Sequence, residues 1–101
     1  MEPEKLIDYE DFVIAKFKED PELGREMVID SIEEYHESGE EEDMTFVLLN
    51  LGRIVQAGGY ENFKSVNLSE SQIDDALNNT ENCDRNVINK MLEALGIKER
   101  I

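Results

Sequence analysis

NLSESQIDDALN, residues 67–78, is punctuated as a tight turn running into a short helix. Asn67 is one of the few non-glycine residues that tolerates the left-handed backbone region. Ser69 and Gln72 supply a Ser-x-x-Gln capping box, in which each side chain satisfies a backbone N–H of the other. Leu68 and Ile73 occupy the staple positions around that box, and Ile73, Ala76 and Leu77 recur on one helical face. The other face carries Glu70, Asp74 and Asp75 and not one Lys or Arg.

Just upstream, YENFKSV at 60–66 leaves room for two helical turns. A two-turn helix, a three-residue turn and a capped helix with inward Ile and Leu is the helix-turn-helix plan. Its spacing sets the two helices at a steep angle so that the second can enter a major groove.

Earlier segments are also helical. Phe12, Val13, Ile14 and Phe17 crowd one side of a short amphipathic stretch from about Asp8 to Lys18. Asp20-Pro21-Glu22 predicts an N-cap, a first-position proline and an early acid. The helix it starts carries Met27, Val28, Ile32 and Tyr35 at helical spacing and ends near Ser38-Gly39. Asp43 is the expected cap of the next helix, whose stripe is Met44, Val47, Leu48, Leu51, Ile54 and Val55. Phe46 and Leu49 add apolar surface on another side, which predicts a central position in the fold. Ala57-Gly58-Gly59 stops it. Residues 78–84, NNTENCD, read as a polar loop, after which Asp84 caps a last helix with Ile88, Met91, Leu92 and Leu95 on one stripe, stopped by Gly96. No segment alternates as a strand does. The reading is all-α, with six helices at most.

From about Asp20 onward the order of these segments resembles the addiction-module antidote (antitoxin) family of lambda-repressor-like helix-turn-helix proteins. The resemblance is carried by DPELGREMVIDSIEEYHESG, FVLLNLGRIVQAGG, NLSESQIDDAL and NKMLEALGIK, with Leu92-Glu93-Ala94-Leu95-Gly96 as the ending. It covers about four-fifths of the chain, and its weight lies in order and spacing, since no single motif is specific. It implies a lambda-repressor-like bundle at 43–101, preceded by an acidic helical extension at 1–42, as one compact unit. Departures are specific. The turn glycine is Asn67, an alanine at the helix–helix contact falls at Phe63, and the proline before the last helix is Cys83. Basic positions of the reading helix fall at Glu70 and Asp75.

The chain has 101 residues, enough for one core, and a net charge of −15 that is unevenly spread. Residues 1–45 hold 17 acids against 4 bases, whereas residues 46–101 hold 8 against 6. Such an N-terminal half repels phosphate backbones and suits a basic protein partner. With no apolar run long enough for a bilayer and no basic-then-apolar leader, a cytoplasmic protein without membrane attachment is expected. A single cysteine fits a reducing compartment.

Two functional readings stay open. In the first, the chain is an antitoxin and transcriptional regulator: it binds a small basic toxin and, as a homodimer, its own operator DNA. The candidate DNA contacts are Ser69, Ser71, Gln72, Asp75, Asn78, Lys64 and Arg85, and the candidate toxin face is Glu33, Glu34, Glu37, Glu40, Glu41, Glu42 and Asp43. Three carboxylates on one reading helix oppose the first set, because phosphate neutralisation supplies most of the affinity for DNA. In the second reading the helix-turn-helix scaffold has lost DNA binding and serves as an acidic, DNA-mimic-like interaction module. An enzyme is not expected: Cys83 has no neighbouring His, and His36 reads as a helix-surface residue. No metal or cofactor is implied either. Glu40-Glu41-Glu42-Asp43 lacks the spacing of a calcium loop, and Gly58-Gly59 is a helix stop, not a phosphate cradle.

Overall fold

The computed structural model describes residues 9–78 and 84–101, and every regular element among them is helical. In chain order these are α1 (Tyr9–Glu19), α2 (Pro21–Ser38), α3 (Glu41–Gly58), a 3₁₀ helix (Tyr60–Val66), α4 (Glu70–Leu77) and α5 (Arg85–Ala94). Cys83 and most of the 78–84 loop lie outside the described residues, as does Asp8.

Local chemistry accounts for most of the boundaries. Pro21 opens α2 at a position where a missing N–H costs nothing. Asp20 stands at the N-cap but its side chain makes no cap hydrogen bond; the Leu23 N–H donates to its backbone carbonyl instead, at 3.0 Å. Gly39 ends α2 in the left-handed conformation at φ 69°, which glycine adopts without strain. The start of α3 differs from the sequence expectation. Its N-cap is Glu40, not Asp43, and Asp43 lies in the first turn, accepting a hydrogen bond from the Ser38 hydroxyl. Glu41, Glu42 and Asp43 together face the positive end of the helix dipole, which favours drawing all three into the helix.

Asn67, at φ 60° and ψ 40°, breaks the chain between the 3₁₀ helix and α4. The capping box then forms as its residues dictate: the Ser69 hydroxyl accepts from the Gln72 N–H at 3.1 Å, and the Gln72 side-chain oxygen accepts from the Ser69 N–H at 2.9 Å. Asp84 caps α5 by accepting from the N–H groups of Asn86 and Val87. At its other end Ile97 and Gly96 donate to Leu92 and Glu93, the paired bonds of a Schellman motif.

One apolar core joins these elements. Val13 and Phe17 of α1, Val28 and Ile32 of α2, and the Met44–Val55 stripe of α3 pack with Phe63, Ile73, Ile88, Met91 and Leu92. α3 is the hub, touching α1, α2, the 3₁₀ helix and α4, while α5 packs on the 3₁₀ helix and α4. Gly24 permits close approach of three helices: a Cβ there would lie 3.1 Å from the Phe17 ring and 3.2 Å from Ile54. Phe63, standing where the family resemblance places an alanine, is fully buried. The sequence grouping of α1 needs one correction. Val13 and Phe17 (i, i+4) share the buried stripe, whereas Phe12, one residue and about a quarter-turn away, is exposed with the Lys16 ammonium over its ring.

Candidate functional site

α2 reverses through Gly39 and Glu40 into α3, and the two helices pack against one another. That reversal gathers the acids of the predicted partner face. Glu33, Glu34 and Glu37 are exposed on the last two turns of α2, Glu40 is exposed at the reversal, and Glu41 and Glu42 are exposed on the first turn of α3. Asp43 is half-buried. None of the seven takes part in a salt bridge with a described residue. Their settings differ. Glu41, Glu42 and Asp43 are stabilised by the α3 N-terminus, but Glu37 sits at the negative end of the α2 dipole, where a carboxylate is disfavoured.

Beside this acidic end lies a groove of about 400 Å³ between α2 and α3, closed at one side by the start of α1. Its apolar wall is Tyr9, Met27, Phe46 and Leu49; its acids are Asp30, Glu34 and Asp43. The floor is a polar seam. Arg53, only 7% exposed, donates through Nε to both oxygens of Glu10 at 3.0 and 3.2 Å and through Nη1 to Asn50 Oδ1 at 3.0 Å. Asn50 in turn donates to the Ser31 hydroxyl at 2.7 Å, and Ser31 donates to the Met27 carbonyl at 2.9 Å. Three helices are thereby tied in register. The hydrogen bonds from Arg53 hold the Glu10 carboxyl below its ordinary range, opposing the upward pull of partial desolvation. Arg53 also lies 5.7 Å from the centre of the Tyr9 ring. Burial and pairing with Glu10 keep its guanidinium off the surface.

The predicted DNA-contacting residues do not assemble into a positive surface. Ser69 and Gln72 are exposed but engaged with each other in the capping box, and Ser71, Asp75 and Asn78 are exposed on and after α4. Asp74 accepts a 2.7 Å hydrogen bond from the Tyr60 hydroxyl, which joins α4 to the 3₁₀ helix. That bond raises the Tyr60 phenol above its ordinary value, with desolvation and the charges of Asp74 and Glu70 adding to it. Lys64 pairs with Glu61 at 3.2 Å. Arg85 donates to the Tyr35 hydroxyl at 2.8 Å and stacks over that ring, so it braces α5 to α2. α4 itself carries no base.

His36 is exposed on α2, with its Nε2 donating to the Arg100 carbonyl. Among the described residues, no three His, Cys, Asp or Glu side chains are grouped to hold a metal ion, and no helix is long and apolar enough to cross a membrane. Sequence reasoning did not find the groove. Its one signal was Phe46 and Leu49, apolar residues off the main stripe of α3. No protein-family model matches the chain, nor does any curated protein or solved structure.

Proposed function

We propose that this chain is an antitoxin-type protein on a helix-turn-helix scaffold, whose acidic α2–α3 end binds a small basic protein partner. The observation that carries this reading is Glu33, Glu34 and Glu37 on the C-terminal turns of α2, without a salt-bridge partner among the described residues and with Glu37 at the wrong end of the helix dipole. A carboxylate such as Glu37 that works against its own helix, with two more a turn before it, is more naturally explained by an external cation than by internal stability. The order of segments shared with addiction-module antidotes supports a toxin as that partner. Complementary charge of this kind speeds encounter more than it deepens affinity.

The scaffold assignment is supported by the left-handed break at Asn67 followed by a capped, separate α4. Operator binding, alone or as a homodimer, is the second reading. The same turn favours it, and the acidic face of α4 opposes it, so an interaction module without DNA binding is the better account of the surface.

The test is direct. If the adjacent reading frame encodes a small basic protein, its association with this chain is measured by stopped flow with and without charge reversal at Glu40, Glu41 and Glu42. A slower on-rate in the variant supports the reading; an unaltered one removes that face. A salt-titrated shift assay on the chain's own upstream DNA checks the regulator reading, which fails if no saturable complex forms at low ionic strength.

A further inference from the structure

We infer that the groove between α2 and α3 seats an amphipathic helix of the basic partner, with large apolar side chains lying against Phe46 and Leu49 and Lys or Arg lying against Asp30, Glu34 and Asp43. This rests on the proposed binding of a basic protein and names the place and the chemistry of that contact.

The argument begins with what the fold leaves uncovered. Among the described residues, the large apolar side chains left exposed are Tyr9, Phe12, Phe46 and Leu49, at 66, 48, 50 and 38%. Three of these four line one groove. Phe46 and Leu49 are three residues apart on α3, so they form a short ridge on one helical face. Scattered surface apolar residues are ordinary, but convergence on a single concavity marks an interaction site.

Charge then selects the occupant. The groove's three carboxylates are met by one base, Arg53, and that guanidinium is already committed to Glu10 and Asn50. The groove therefore presents apolar wall and uncompensated negative charge together. A second copy of this chain, at −15, brings acid to acid. Residues 1–8 carry Glu2, Glu4 and Asp8 against Lys5 and repeat the same sign. Two packed helices with a trough between them suit a helix laid in the groove, since that mode needs no free backbone edge.

The test titrates the full chain with three synthetic 18-residue peptides at physiological salt. One is a Leu/Lys helix with its leucines on one face, the second has the same composition scrambled, and the third replaces Lys by Glu. The expected result is saturable binding of the first, about tenfold or more tighter than the scramble, with amide shifts at Tyr9, Phe46 and Leu49. The double variant F46A/L49A should lose about tenfold or more of that affinity. Circular dichroism should show the variant folded, because neither side chain belongs to the buried core. Equal binding of the scramble reduces the surface to charge alone and overturns the inference. So does indifference to F46A/L49A, failure of the first peptide to bind, or a requirement for residues 1–8. Self-association of the free chain that F46A/L49A abolishes makes the occupant a second copy, and likewise overturns it. The two proposals fail separately. An adjacent-frame protein that binds F46A/L49A as well as wild type overturns the groove and leaves the antitoxin reading standing. Peptide seating without any binding of that protein does the reverse.

Discussion

Glu10 and Arg53 lie 43 positions apart and meet as a two-oxygen ion pair that fastens α1 to the central helix. Arg53 is buried and Glu10 is half-exposed, so the arginine is the partner that suffers when the pair is broken. It is also the link through which α1 reaches the Asn50–Ser31 seam and hence α2.

Removing that carboxylate leaves a buried guanidinium with one remaining hydrogen-bond partner among the described residues, Asn50. Glu10→Ala should lower stability by about 1–3 kcal/mol, toward the low end because water reaches Glu10. Since the folded carboxyl titrates below its unfolded counterpart, the pair adds stability above the unfolded value of about 4.3 and loses it as pH falls through the lower folded value. Glu10→Gln should therefore differ from wild type in urea midpoint at pH 7, with the two curves converging at the acid end. Parallel curves across that range would mean Glu10 has no part in the acid limb.

At the α4 start, the cap at Ser69 and the left-handed turn at Asn67 each have a measurable share. Ser69→Ala should cost about 1 kcal/mol by urea denaturation. Asn67→Gly should be neutral or stabilising, while Asn67→Val, forced to the same φ of 60°, should lose about 1–2 kcal/mol. If valine were tolerated there, the break between the 3₁₀ helix and α4 would not depend on the left-handed residue.

Tyr60 offers a spectroscopic reporter of the same region. Its ultraviolet titration should show a phenol ionising above the ordinary tyrosine range, because ionisation breaks the bond to Asp74 and adds a like charge beside it. Asp74→Asn should bring that titration down toward the ordinary value. A titration that Asp74→Asn leaves unmoved would show that Asp74 does not set it.

The acidic face of α4 gives a gain-of-function prediction. Glu70→Arg with Asp75→Arg should raise non-specific DNA affinity and steepen its salt dependence by about one per added phosphate contact. An affinity that stays flat would mean this face does not meet a nucleic-acid backbone.

Helix boundaries were legible in the chain because their causes lie within a few residues. Ser69 and Gln72, Asp84, Pro21, Gly39 and Gly96 each act on the neighbouring turn, and each stands where its chemistry puts it. The exception at α3 has the same local character. Asp43 is a good capping residue, but Glu41 and Glu42 stand just before it, and the three acids together favour one further turn. Phe12 escaped because a cluster of four apolar residues in six positions does not say which of them faces inward until a second helix is packed against it.

Composition and local spacing by themselves determined helices as the regular elements of the described residues, most of their caps and the strongly negative first half, since these follow from side chains acting on adjacent backbone or from simple counting. Packing alone decided that Arg53 is buried against Glu10 and that Tyr9, Phe46 and Leu49 converge beside Asp30, Glu34 and Asp43. The physical reason is distance along the chain: those groups come from three helices, and no period within any one helix carries the angle at which the others cross it.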